Sequence, residues 1–184
     1  MNKILRIKKE DAVLVAVDFQ EKLLPAMHDW EKVEKNMIKL SKGLNVLDVP
    51  KIVTQQYTKG LGPTVESIAQ SLGTFEPVEK VSFSAYENET FRNQLNALGK
   101  RTVILTGIEA HICVEQTALD LLENGYLVAL VSDCIESRDS KNKKVSIKRL
   151  RDAGVLITSC ESVLYEMLGS AAAPQFKQIS SIVK

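Results

Sequence analysis

Short β-branched apolar runs alternate with helical periodicity six times along this chain, and that alternation leaves few folds open to it. The runs at 12–17, 51–55, 78–82, 102–106, 127–132 and 155–158 read as strands. Between them, 31–47 spaces Val33, Met37, Leu40, Leu44 and Leu47 three or four apart. Phe91, Leu95 and Leu98 do the same in 90–98, and Ala118, Leu121 and Leu122 in 114–123. Gly73, Gly99, Gly125 and Gly154 each end a helical stretch, where positive φ suits glycine. Parallel strands need crossover connections, so the repeat predicts a parallel sheet with helices on both faces. Val103-Ile104-Leu105 and Leu127-Val128-Ala129-Leu130-Val131 are apolar throughout, as expected of strands covered on both sides.

The expectation is a single domain over 1–184 with a three-layer α/β/α, Rossmann-like architecture. Its six-stranded parallel sheet would run in the order 3-2-1-4-5-6. With 24 basic and 23 acidic residues, charge gives no case for nucleic acid, an acidic membrane surface or a polyanionic substrate. No apolar run approaches the roughly 20 residues that cross a bilayer, and Met1-Asn2-Lys3-Ile4-Leu5-Arg6 is too polar for a signal-peptide core. Three widely spaced cysteines make no disulfide framework, which predicts a cytoplasmic protein. Two histidines and no CxxC or HExxH spacing predict no metal. The lack of Walker A and GxGxxG loops predicts no cofactor, and no GxSxG elbow is present.

Ligands of doubly wound sheets bind beyond the carboxyl ends of the strands, where the winding reverses. Asp18 ends the first run, Lys80 lies in the third, and Cys113 follows the fourth. In the expected order the first and fourth strands are neighbours, so Asp18 and Cys113 face each other. Lys80, two strands away from Asp18, would have to reach. Cys113 lies where a strand becomes a helix, and unpaired N–H groups with the macrodipole there favour thiolate and can hold an oxyanion. An Asp at the end of a wholly apolar strand is costly unless paired, although it could merely cap a turn. Lys80 taken alone reads as readily as a solvated surface charge. Cys134 and Cys160, inside or at the end of apolar strands, read as small buried hydrophobes. His111 is too close in sequence to aim at Cys113. The basic run Lys141, Lys143, Lys144, Lys148, Arg149 and Arg151 reads as the wet face of one helix.

Asp18 in V-A-V-D-F-Q, Lys80 in V-E-K-V-S-F-S-A-Y and Cys113 in T-G-I-E-A-H-I-C-V resemble the Asp-Lys-Cys triad of the isochorismatase-like cysteine hydrolases. The segments 55–64, 132–138 and the tail P-Q-F-K-Q-I-S-S-I-V-K look closer to the isochorismatase domain-containing hydrolases of unassigned substrate. The resemblance implies Asp18 as base, Lys80 as its partner and Cys113 as nucleophile. It also implies a non-proline cis peptide at Ile108–Glu109, which turns the Glu109 N–H, with that of Cys113, toward a substrate oxygen. Metal-dependent nicotinamidases carry Asp-x-His where this chain has Gln56 and Thr58, which argues against a metal and against nicotinamide. Phe19, Gln20, Gln56, Tyr57, Phe83 and Ile112 are the expected pocket wall, for a small and largely neutral molecule cleaved at an amide or related carbonyl. The family commonly forms closed assemblies, so a homo-oligomer is expected. A non-catalytic oligomeric scaffold and a redox-sensing thiol protein stand as the alternatives.

Overall fold

A computed structural model describes residues 6–184, so the polar start at Met1–Leu5 lies outside the described residues. Six strands form one sheet, every pairing in it parallel, in the order β3-β2-β1-β4-β5-β6. In chain order these are β1 (Ala12–Val17), β2 (Lys51–Gln56), β3 (Val78–Lys80), β4 (Thr102–Ile108), β5 (Leu127–Glu136) and β6 (Leu156–Thr158). The helices are α1 (Trp30–Val46), α2 (Thr58–Leu61), α3 (Glu66–Leu72), α4 (Glu89–Leu98), α5 (Glu115–Glu123), α6 (Ser140–Ala153), α7 (Cys160–Leu168) and α8 (Phe176–Val183). The expected order is the observed one.

Side chains alternate across β1 and divide the core in two. Ala12, Leu14 and Ala16 join α1, α3, α7 and α8 on one face, while Val13, Val15 and Val17 join α4, α5 and α6 on the other. The central strands β1 and β4 are buried at every position, which is why Ala12–Val17 and 103–105 read as apolar runs. On α6 Lys141, Lys144, Lys148, Arg149 and Arg151 lie outward and Ser146 and Leu150 inward, as the wet-face reading requires, but Lys143 turns in to pair with the buried Glu136 at 3.1 Å.

Several boundaries differ from expectation, and β5 runs on to Glu136. β3 stops at Lys80, because the next residues turn back and lend carbonyls to its ammonium. The helix after β4 opens as a wide π-type turn over Ala110–Val114. Cys160 begins α7 and does not end a strand; Asp133 accepts a hydrogen bond from its N–H at 2.8 Å. The tail folds onto its own chain, with Phe176 and Val183 against the first core face and Ile179 buried in it. No helix among the described residues is long and apolar enough to cross a membrane.

Candidate active site

Asp18 follows the last residue of β1 in the left-handed region, with φ 55°, and is fully buried. Such a backbone is uncommon for a residue with a Cβ, though Asp tolerates it better than most. The approach depends on Gly107, which pairs with Val17 across β1 and β4 and has φ 136°. A Cβ there would overlap the Val17 carbonyl oxygen, Cα and Cβ, so glycine lets the two strand ends close beneath the site.

Lys80 does reach. Its stem runs beneath the end of β2, and Nζ lies 2.7 Å from Asp18 Oδ2 with both side chains sealed from solvent. The ammonium donates to Gln56 Oε1 at 2.6 Å, Phe83 O at 3.1 Å and Ser82 O at 3.2 Å. Those three acceptors match its three protons. The contact with Asp18 Oδ2 is therefore an ion pair off the hydrogen-bond line, and that oxygen has no hydrogen-bond donor among the described residues. Thr54 Oγ1 donates to the other oxygen, Oδ1, at 2.7 Å.

Cys113 sits in the π-type turn, 7 % exposed, close enough to Asp18 and Lys80 for both charges to act on its sulfur. Turns of this kind are frequent at functional sites. Burial, and then the Asp18 carboxylate, push its thiol up to about 12, while Lys80 pulls the other way. The thiolate expected from the helix terminus is thus corrected. Desolvation and a like charge outweigh the ammonium, so the resting sulfur is a neutral thiol.

The turn is clasped from several sides. Ser146 Oγ donates to Ala110 O at 2.9 Å, and Arg138 meets the Glu109 carboxylate through its N–H at 3.0 Å and Nε at 2.9 Å. His111 Nδ1 lies 2.9 Å from Ser137 Oγ. The Ile108–Glu109 peptide is cis.

The expected pocket wall divides. Phe19 lies in the core, 1 % exposed, and Gln20 is fully buried. Gln20 accepts from Gln56 N at 2.7 Å and donates to Gln56 O at 3.0 Å and Gly62 O at 2.7 Å. Gln56 spends its amide on Lys80 and on Val81 O. Phe19 is thus part of the core, and Gln20 and Gln56 are engaged within the frame. Tyr57 and Phe83 are half exposed beside Lys80, Tyr57 N donating to Lys80 O, and Ile112 is partly buried against the second core face. Thr54 escaped the sequence reading because a β-branched residue in β2 looks like any strand residue. A polar groove lined by Asn96, Lys100, Arg101 and Tyr126 lies at the opposite ends of β4 and β5, away from this cluster.

The family model for the isochorismatase domain matches residues 12–162. The chain belongs to the isochorismatase family. It is 37% identical over 180 residues to isochorismatase domain-containing protein 2 of Danio rerio, covering 97% of this chain and 89% of that one. The MAR1 ribonuclease structure from Caenorhabditis elegans superposes with a TM-score of 0.92 at 32% identity, covering 97% and 92% of the two chains. An octameric hydrolase of unknown specificity from Escherichia coli shares the fold at a TM-score of 0.93 and 23% identity, covering 99% and 91%. The sheet order and flanking helices are those of the isochorismatase-like hydrolase fold.

Proposed function

We propose that this family member is a cysteine hydrolase acting on a small, largely neutral amide or related carbonyl compound through a thioester on Cys113. The observation that carries the reading is the sealed Asp18–Lys80 pair at 2.7 Å, with Asp18 Oδ2 open and Cys113 in reach. Asp18 takes the thiol proton as sulfur attacks the carbonyl carbon. The carbonyl electron pair moves to oxygen, which the Glu109 and Cys113 N–H groups receive; losing one such donor typically costs about 3 kcal/mol of transition-state stabilisation. Lys80 offsets the negative charge as it develops. The C–N bond then breaks, Asp18 returns its proton to the amine, and the thioester remains. Asp18 next takes a proton from water as it attacks the thioester, and hands it to sulfur when the acid departs.

The half-exposed Tyr57 and Phe83 beside Lys80 support an uncharged, partly apolar substrate. The reading uses no metal and no cofactor. It takes residues 1–184 as one hydrolase domain, cytoplasmic on its odd number of cysteines. It makes the chain a homo-oligomer, as the octameric Escherichia coli neighbour is.

The test is a screen of small amides, carbamoyl compounds and esters against the wild type and Cys113→Ala, with intact mass to trap the acyl adduct. RNA joins the screen because the Caenorhabditis elegans relative is named a ribonuclease. Turnover with a Cys113-bound adduct supports the reading. Turnover that survives in Cys113→Ala, or cleavage of RNA alone, overturns it.

A further inference from the structure

Every proton of the Lys80 ammonium is taken by a neutral oxygen, although a carboxylate lies 2.7 Å away. Two of those acceptors are main-chain carbonyls, and the third and shortest is the Gln56 side chain at 2.6 Å. The orientation of that amide is determined. Gln56 Nε2 donates to Val81 O at 2.8 Å, which leaves Oε1 for the ammonium. The Gln56 backbone is held as firmly, since Gln20 bonds both its N–H and its C=O.

We infer that Gln56 is the positioning residue of this triad: it draws the Lys80 protons away from Asp18 Oδ2, so that this oxygen stays open as the base for Cys113. The inference rests on the proposed hydrolase reading and deepens it. Two features of the side chain matter. As an acceptor, it spares Asp18 Oδ2 from becoming the third partner of the ammonium. As a neutral group, it leaves Lys80 with a single counterion, so the positive charge remains available to the sulfur and the developing oxyanion. The ionisable groups packed against Lys80 are Asp18 from β1 and Cys113 from the turn after β4. Glu79, the neighbour in sequence, is engaged with Thr58.

The test needs no substrate. The rate of iodoacetamide labelling at Cys113 is followed by intact mass from pH 6 to 10 in the wild type, Gln56→Glu and Gln56→Met, with Cys113→Ser as control. Gln56→Glu keeps the shape and adds a second carboxylate beside the ammonium. Its labelling should be roughly tenfold slower at pH 8, since a like charge raises the thiol further. The gap should persist down to pH 6, because the neighbouring ammonium keeps the introduced carboxyl ionised there. Gln56→Met should be faster at every pH, because an ammonium proton turns to Asp18 Oδ2 and that carboxylate then opposes the thiolate less. Gln56→Glu and wild-type profiles that superimpose, in variants with equal urea midpoints, overturn the inference while leaving Cys113 as the nucleophile. Wild-type labelling that persists in Cys113→Ser overturns the underlying hydrolase reading.

Discussion

Among the described residues Asp18 and Lys80 each have one charged partner, and both side chains are buried. Removing either partner strands a buried charge, which typically costs about 3–5 kcal/mol, whereas removing both removes the problem. Asp18→Asn and Lys80→Met should each lower stability by about that much in urea unfolding, and the double variant should regain most of it. Simple additivity in this cycle would sink the account. The thiol at about 12 gives a second expectation. Below that value each pH unit raises the thiolate fraction tenfold, so Cys113 alkylation should climb about tenfold per unit from pH 7 to 10 without levelling. A plateau near neutrality would mean a resting thiolate. At this scale the sequence revealed the three residues but not their states. Strand ends marked Asp18 and Cys113, and family resemblance added Lys80. A helix terminus argues for a low thiol pKa, and only the fold shows that burial and Asp18 oppose it. Gln56 was legible as a neighbour of the site, but its direction was not, because a strand-end residue can point either into the frame or out of it.

Gly107 shows how an element's geometry becomes a site. It faces Val17 across β1 and β4, one residue before Asp18, and the β4–β5 register shifts just beside it, between Leu105 and Gly107. Gly107→Ala places a methyl against the Val17 backbone and forces an unfavourable φ on a residue with a Cβ. The strand ends must part to admit it, and Asp18 and the Cys113 turn part with them. Stability should fall by about 2–4 kcal/mol, combining backbone strain and overpacking. Cys113 labelling should lose its dependence on Asp18, so that Asp18→Asn in this background changes the rate little. If Asp18→Asn still speeds labelling as in the wild type, where loss of the carboxylate lets the thiol ionise more readily, the two strand ends do not need this glycine. The strands themselves were legible because β1 and β4 are buried on both sides, so Ala12–Val17 and 103–105 are wholly apolar. Their ends were less so. β5 continues to Glu136, through Ser132, Asp133 and Glu136, which bond Thr158, Cys160 and Lys143, and hydrophobicity alone gives no reason for a strand to extend there.

The two core faces divide the labour of the whole molecule. Cys113, Ala110 and Val114 belong to the face covered by α4, α5 and α6, so the nucleophile's turn is part of that core. The opposite face, under α1, α3, α7 and α8, contains Phe19 but neither Cys113 nor its turn. The α/β alternation and strand order were legible because crossover connections leave a repeat in the sequence. The place of the tail was not, since a short amphipathic segment fits its own core or another copy equally well. Here α8 lies across α1. Ile179 is fully buried, the Tyr165 and Phe176 rings are 6.5 Å apart, and Lys39 Nζ donates to Val183 O at 2.7 Å. Burying one such aliphatic side chain contributes roughly 1.5–3 kcal/mol, and Phe176 and Val183 add partial shares. Truncation after Ser170 should therefore remove about 3–5 kcal/mol, a fall in Tm of roughly 10 °C for a chain of this size. Because the lost contacts all lie on the face away from the nucleophile, the pH profile of Cys113 labelling at 20 °C should keep its slope. A truncated chain with unchanged Tm would show that the tail adds nothing to the core. A truncated chain that stays folded but loses the slope would show that the two faces are coupled through the sheet.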